Sequence, residues 1–154
     1  MKNDNFYTFG EYMKENKLTI SEEDYLEMIF RLCLKGGYTR VSDLAESLNV
    51  KRPSVSNMLK RLLQKKLINH TEYGVIQLTN EGRKLGKVLL DRHQTVEQFL
   101  QLLNVNDNVL EETEKIEHTL SPNTINNIKQ LVTFFQSDDN IFNKYKDWIQ
   151  NKKS

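Results

Sequence analysis

The order of elements between residues 21 and 67 constrains the fold of this chain more than any other feature. Three stretches, SEEDYLEMIFRLCLK, DLAESLN and PSVSNMLKRLLQKKL, repeat apolar residues at intervals of three and four, as one face of a helix does. Pro53 is tolerated only in a first helical turn, so it marks the start of the third helix. Ser21 and Ser42 are placed to cap the first two.

Two short strand-like segments follow these helices in INHTEYGVIQLT. One lies around Ile68 and the other runs from Val75 to Leu78, with Gly74 in the turn between them. Three helices followed by a two-stranded hairpin are typical of a winged helix-turn-helix. We therefore predict a winged helix-turn-helix domain over residues 21–80.

The chain after residue 80 shows helical spacing throughout. Thr79 can cap a helix whose apolar stripe extends to Leu103, either as one helix or as two joined ones. Three more helices are predicted over residues 108–120, from Ser121-Pro122 onward, and over residues 140–150. The fold class is therefore mainly α, with an N-terminal extension over residues 1–20 and an all-helical second domain over residues 81–154.

Charge is distributed unevenly along the chain, although the formal net charge is only +1. Residues 40–90 carry ten basic and four acidic side chains, a net of +6, while residues 1–39 and 91–154 are net −2 and −3. A basic segment between acidic flanks favours an anionic partner such as double-stranded DNA. A solvated charged surface is the alternative.

The exposed side of the third helix groups the residue types that contact DNA. Hydroxyls and amides near the start of a groove-reading helix can contact base edges, while lysines and arginines meet phosphates. The predicted contacts outside the wing are Arg40, Lys51, Arg52, Ser54, Ser56, Asn57, Lys60 and Arg61. Tyr73 and His70 lie on the presumed wing and can contact the backbone or the minor groove. A winged helix that docks a protein is the competing interpretation.

Several classes of protein are disfavoured by what the sequence lacks. Cys33 is the single cysteine, so a disulfide framework is excluded and a cytoplasmic location is expected. No apolar run approaches the roughly 18 residues of a membrane helix, and no secretory signal pattern is present, so we expect no membrane association. No nucleophile motif such as G-x-S-x-G occurs, and we expect neither an enzyme nor an organic cofactor.

The segment TEKIEHTL places three metal-ligand side chains within five positions. Glu114 and His118 are one helical turn apart, and Glu117 lies beside them on an arc of roughly 100°. Two carboxylates and an imidazole suit manganese, iron(II) or zinc. Solvated residues on a helix flank are the alternative.

Three other candidate ligands lie far from this segment in the sequence. His93 falls on the flank of an apolar stripe, where a hydrogen-bonded border histidine is the ordinary interpretation. Asp24 and Glu27 are three apart on the expected polar side of the first helix, where acidic residues are common. Spacing alone does not join these residues to TEKIEHTL.

Five motifs in a fixed order resemble the manganese-responsive branch of the diphtheria-toxin-repressor family over roughly residues 21–136. They are EDYLEMIF, GYTRVSDLAESLNVKRPSVSNMLKRL, LTNEGRKLGK, RHQTVEQFL and IEHTLS. The resemblance implies a winged helix that binds operator DNA, a helical domain that forms a homodimer, and metal bound at paired adjacent sites between the two. It implies no SH3-like third domain, as in the shorter members, and it says nothing of the N-terminal extension.

Ligands follow from the resemblance at matching positions. The implied set is Asp24, Glu27, His93, Glu114, Glu117 and His118. The iron-responsive branch carries Met and Cys at the positions of Asp24 and Glu114, so the resemblance implies Mn(II), two ions per subunit, with Fe(II), Co(II), Cd(II) or Zn(II) as substitutes. The expected function is a manganese-dependent repressor of metal-uptake genes. An iron(II)-responsive repressor, or a winged-helix regulator that senses an organic ligand or a protein, are the alternatives.

Overall fold

The computed structural model describes residues 18–70 and 73–152, without the side chain of His70. Residues 1–17 of the predicted N-terminal extension therefore lie outside the described residues. The chain forms two compact units, Met1–Asp91 and Arg92–Ser154. The functional limits expected at residues 21–80 and 81–154 stay a prediction.

Helices dominate both units, which confirms the mainly α fold class. The described helices are α1 (Ile20–Cys33), α2 (Val41–Ser47), α3 (Arg52–Gln64), α4 (Asn80–Leu102), α5 (Val109–Glu117), α6 (Pro122–Gln136) and α7 (Asp139–Lys152). The described strands are β1 (Thr39–Arg40), β2 (Ile68–His70) and β3 (Val75–Leu78). No helix within the described ranges combines the length and the apolar character needed to cross a bilayer.

The caps of the first two helices differ from the prediction. Thr19 rather than Ser21 caps α1, because its hydroxyl accepts the Glu22 N–H while the Glu22 carboxylate accepts the Thr19 N–H, a reciprocal capping box. Ser42 lies inside α2, which begins at Val41 after Arg40 without a side-chain cap. In both cases the helix starts two residues earlier than a cap at the serine would give.

The sheet has three strands in the order β1-β3-β2, all antiparallel. The hairpin β2–β3 was predicted, but β1 was not, because two residues are too few for a sequence pattern. Thr39 pairs with Ile76 and Arg40 with Val75. The extra strand places Arg40 beside the hairpin.

The core of the first unit lies between α1, α2, α3, the sheet and the first half of α4. Its fully buried side chains include Leu26, Ile29, Leu44, Leu59 and Ile76. These residues occupy one face of each element, so burial holds α3 from its inner side.

Helix α4 is a single helix of 23 residues, which resolves the open question about its stripe. Thr79 caps it as predicted, since its hydroxyl accepts the Gly82 N–H at 3.0 Å. The second unit has a smaller core of Val96, Leu100 and Ile125. Ser121 caps α6 as expected by accepting the Thr124 N–H.

Candidate metal centre and nucleic-acid interface

Helix α3 and Lys51 just before it carry seven of the side chains predicted to contact DNA. Val55, Met58, Leu59 and Leu62 are buried on its inner face. The predicted contacts on its outer side are all exposed: Lys51, Arg52, Ser54, Ser56, Asn57, Lys60 and Arg61. Burial along α3 follows the 3.6-residue helical period, so the helix has one buried apolar face and one exposed polar face that is rich in lysine and arginine.

The turn before α3 is short and fixes where this helix begins. Asn49 adopts a left-handed conformation with φ of 52°, and the Val50 N–H donates to the Ala45 carbonyl at 3.0 Å. Lys51 then precedes the helix without a side-chain cap. The positive end of the helix dipole is thus flanked by Lys51 and Arg52, an arrangement that favours a phosphate.

The wing residues are also exposed. Tyr73, in the turn between β2 and β3, exposes 86% of its surface, and Arg40 on β1 is exposed at the edge of the sheet. His70 lies on β2, and its side chain is outside the described residues. An aromatic ring this exposed at a loop tip has little structural role, which fits a contact with a partner.

The second unit brings together four of the six predicted ligands. His93 Nδ1 lies 3.3 Å from Glu117 Oε2 and 3.6 Å from Glu114 Oε1. His118 Nε2 lies 3.5 Å from Glu117 Oε1. Glu117 is therefore the centre of the cluster, with an imidazole on each side.

Glu117 is the least solvated member. Its side chain is 0% exposed, and neither carboxylate oxygen accepts a hydrogen bond from any described residue. A buried carboxylate without hydrogen bonds is costly unless a cation compensates it. Carboxylate oxygens with imidazole nitrogens, and no thiolate, form a donor set that suits Mn(II) or Fe(II). The residues present therefore fit a divalent cation.

The remaining two predicted ligands lie on α1 in the first unit. Glu27 is buried, with 7% of its surface exposed, and its Oε1 accepts a hydrogen bond from Arg31 Nε at 2.8 Å. The ordinary solvated role considered for Glu27 is thus wrong. Asp24 is half-buried. Acidic side chains at such positions need a structural or functional reason.

Arg92 is a member of the second unit's cluster that the sequence analysis missed. Its side chain is 4% exposed, its Nη2 donates to His118 Nδ1 at 3.0 Å, and its Nε lies 4.0 Å from Glu117 Oε2. A signal was present, because Arg92 follows the buried Leu89 by three residues and precedes the buried Val96 by four. A cation on an apolar stripe predicts a buried counter-charge.

Helix α1 is also joined by an ion pair to the end of α3. Glu22, buried at 3% exposure, accepts from Lys65 Nζ at 2.9 Å, and Arg61 Nε is 4.0 Å away. Burial raises the pKa of the Glu22 carboxyl, but the Thr19 N–H and the Lys65 ammonium lower it more, so the pKa lies below its ordinary value. The carboxylate is therefore charged, and it connects the helix that carries Asp24 and Glu27 to the end of α3.

A winged helix with an exposed basic helix, followed by a helical unit with a buried carboxylate–imidazole cluster, defines a metal-dependent DNA-binding regulator. Comparison with known families agrees. The model described as "Iron dependent repressor, N-terminal DNA binding domain" matches residues 17–76, and "Iron dependent repressor, metal binding and dimerisation domain" matches residues 79–141. The chain belongs to the iron-dependent repressor family, the diphtheria-toxin-repressor family, as its motifs indicated.

Similar proteins carry consistent names. The HTH-type transcriptional regulator MntR of Oceanobacillus iheyensis is 42% identical over 79% of this chain and 83% of its own length. MntR of Bacillus subtilis is 42% identical over 79% of this chain and 86% of its own length. The solved structure of the manganese regulator SloR is 30% identical with a TM-score of 0.65, covering 73% of this chain. This chain spans only 54% of that longer chain.

Proposed function

We propose that this protein is a manganese-responsive transcriptional repressor, which binds operator DNA as a homodimer when Mn(II) is bound. The proposed ligands are Asp24, Glu27, His93, Glu114, Glu117 and His118, holding two ions per subunit, with Fe(II), Co(II), Cd(II) or Zn(II) as substitutes. The proposed DNA contacts are Arg40, Lys51, Arg52, Ser54, Ser56, Asn57, Lys60, Arg61 and Tyr73. A cytoplasmic location is part of the proposal.

The buried carboxylate of Glu117 is the observation that carries the metal assignment. Both of its oxygens lie away from water without a hydrogen-bond donor from the described residues, while His93 and His118 flank it. A purely structural glutamate at this position would need donors to offset its desolvation. A divalent cation supplies that compensation, and it also neutralises the repulsion between neighbouring carboxylates.

A metal-responsive repressor requires that metal binding changes the mobility or position of α3, the proposed DNA-contacting helix. The proposed ligands on α1 belong to the same helix as Glu22, which is ion-paired to Lys65 at the end of α3. Fixing α1 through Asp24 and Glu27 would therefore restrict α3 as well. DNA affinity then rises because less conformational freedom remains to be lost on binding.

A homodimer is supported by the second unit's surface as well as by the family. Large apolar side chains there are partly or mostly exposed: Leu103, Leu110, Leu131, Phe134 and Trp148. Two reading helices related by a two-fold axis would contact paired half-sites on the operator.

Fluorescence anisotropy with labelled operator-containing DNA tests the proposal. We expect Mn(II) to tighten DNA binding by the wild type at least tenfold, and we expect Glu117→Gln to abolish that gain while leaving the weak metal-free binding unchanged. Gln keeps the shape of the side chain but loses the charge that a cation needs. Glu111→Gln is the matched control, because Glu111 is exposed on the same helix and pairs only with Lys115 among the contacts described for it.

Equal DNA affinity of the wild type with and without metal, under conditions where calorimetry shows that Mn(II) is bound, would reject metal gating.

The same assay, run anaerobically with Fe(II), tests the alternative of an iron-responsive repressor. Activation by Fe(II) but not by Mn(II), each at its cellular free concentration, would favour an iron-responsive repressor. The Irving–Williams order leads us to expect Mn(II) to bind the more weakly of the two, so the comparison must use free metal concentrations buffered to cellular levels.

A further inference from the structure

Arg92 places a permanent positive charge inside the ligand cluster of the second unit. The guanidinium is buried, and it has hydrogen-bond donors only. It lies 4.0 Å from the Glu117 carboxylate and hydrogen-bonds to His118. Two of the side chains proposed to hold a cation are thus already in contact with a cation that belongs to the protein.

The hydrogen bond to His118 has a consequence for ligation. Arginine can only donate, so His118 Nδ1 must accept with its lone pair when Arg92 Nη2 lies 3.0 Å away. A neutral imidazole then carries its proton on Nε2, the nitrogen that faces Glu117 Oε1 at 3.5 Å. While Arg92 holds this position, neither nitrogen of a neutral His118 offers a lone pair to a metal.

We propose that Arg92 is an internal competitor of the metal: its guanidinium occupies the Glu117–His118 pair in the metal-free protein, and it must leave that pair before a divalent cation can bind there. The inference rests on the proposed function, because it concerns the same site. Its physical basis is that a guanidinium and a divalent cation held beside the same buried carboxylate repel each other. Arg92 thereby raises the metal concentration at which the site fills.

Two roles for Arg92 predict opposite effects of its removal. A competitor lowers metal affinity, so replacing it with a neutral side chain tightens binding. A positioning residue that holds His118 in a ligating orientation raises metal affinity, so the same replacement weakens binding. The sign of the change therefore decides between the two roles, independently of DNA binding.

The experiment is calorimetric titration of chelator-treated protein with Mn(II), together with thermal unfolding of the metal-free protein. For Arg92→Gln we expect Kd for Mn(II) to fall at least about tenfold, which corresponds to about 1.4 kcal/mol. We expect the unfolding midpoint of the metal-free variant to fall, because Glu117 loses its internal cation, and the rise in midpoint on adding Mn(II) to be larger than in the wild type.

Lys115→Gln is the matched control. Lys115 is exposed on α5 and pairs with Glu111 at 2.8 Å and Glu112 at 3.5 Å, so its removal takes away one positive charge near the site without touching Glu117 or His118. We expect its Kd to stay within about twofold of the wild type, because exposed charges are screened. A tenfold effect in this control would overturn the specific role of Arg92.

Unchanged or weaker Mn(II) binding by Arg92→Gln would overturn the inference while leaving the proposed function intact. Absence of binding by both the wild type and Arg92→Gln would overturn both. If Arg92→Gln does not fold, Arg92→Met decides, because methionine keeps a flexible aliphatic stem and removes the charge. A tighter Kd in Arg92→Met supports competition, and an unchanged or weaker one contradicts it.

Discussion

Replacing Gly82 with alanine should strongly destabilise the first unit, although alanine is the better helix former. Gly82 lies in the first turn of α4, where a Cβ would overlap the backbone carbonyl oxygen of Leu67 and lie 2.8 Å from its carbonyl carbon. That oxygen also accepts the Thr79 N–H at 3.1 Å. Moving Leu67 would therefore break a buried backbone hydrogen bond beside β2.

The magnitude follows from three opposing terms. Helix propensity favours alanine over glycine by about 1 kcal/mol. Insertion of a methyl group into a packed site costs about 1–3 kcal/mol or more when the opposing group is backbone, and loss of the hydrogen bond costs about 1–3 kcal/mol. We expect a net loss of about 3 kcal/mol in the free energy of unfolding, a large share of the 5–15 kcal/mol typical of a small domain.

Urea unfolding of metal-free protein, followed by circular dichroism, measures this change. Two further alanines on the same helix serve as a graded series. At Gly86 a Cβ would lie 2.7 Å from Phe30 Cβ, which is fixed to the backbone of α1, so one of the two helices must move and we expect a loss of about 2 kcal/mol. Lys87 is exposed, and Lys87→Ala should change stability by less than about 0.5 kcal/mol. A Gly82→Ala protein as stable as the wild type would refute the packing argument.

Two other predictions concern ion pairs and DNA. Lys65→Met should lower the free energy of unfolding by about 1–2 kcal/mol, since it leaves the buried Glu22 carboxylate without its nearest cation. A double-mutant cycle with Glu22→Gln should give a coupling energy of about 1 kcal/mol. A coupling energy near zero would show that the ion pair contributes nothing to stability. Arg52→Ala and Lys60→Ala should each reduce the slope of log K against log salt by about one for metal-loaded protein, because each removes one phosphate contact. Unchanged slopes in both variants would mean that α3 is not the reading helix.

Short-range signals made much of the fold predictable. Pro53 marked the start of α3 to within a residue, and Thr79 and Ser121 cap the helices assigned to them. Each of these signals acts within a single turn of helix, so it does not depend on the rest of the fold. The capping error at Ser21 arose because Thr19 offers the same chemistry two residues earlier, together with Glu22.

Features that depend on contacts between residues distant in sequence could not be predicted. β1 is two residues long and exists only because β3 is beside it. The burial of Glu27 and the position of Arg92 next to His118 and Glu117 depend on how separate helices pack. The exposed side of α3, in contrast, could be assigned from that helix alone, because solvent exposure along α3 follows directly from its apolar period.

The amino-acid order alone determined the helices and the hairpin in their order, the polar and apolar sides of α3, and the family. These follow from local backbone preferences, a 3.6-residue period and ordered motifs. Only the tertiary structure decided that Glu117 is buried without hydrogen-bond donors among the described residues, and that Arg92 reaches both it and His118. The cost of burying a charge depends on what lies within a few ångströms in space. That neighbourhood is set by packing between helices that are distant along the chain.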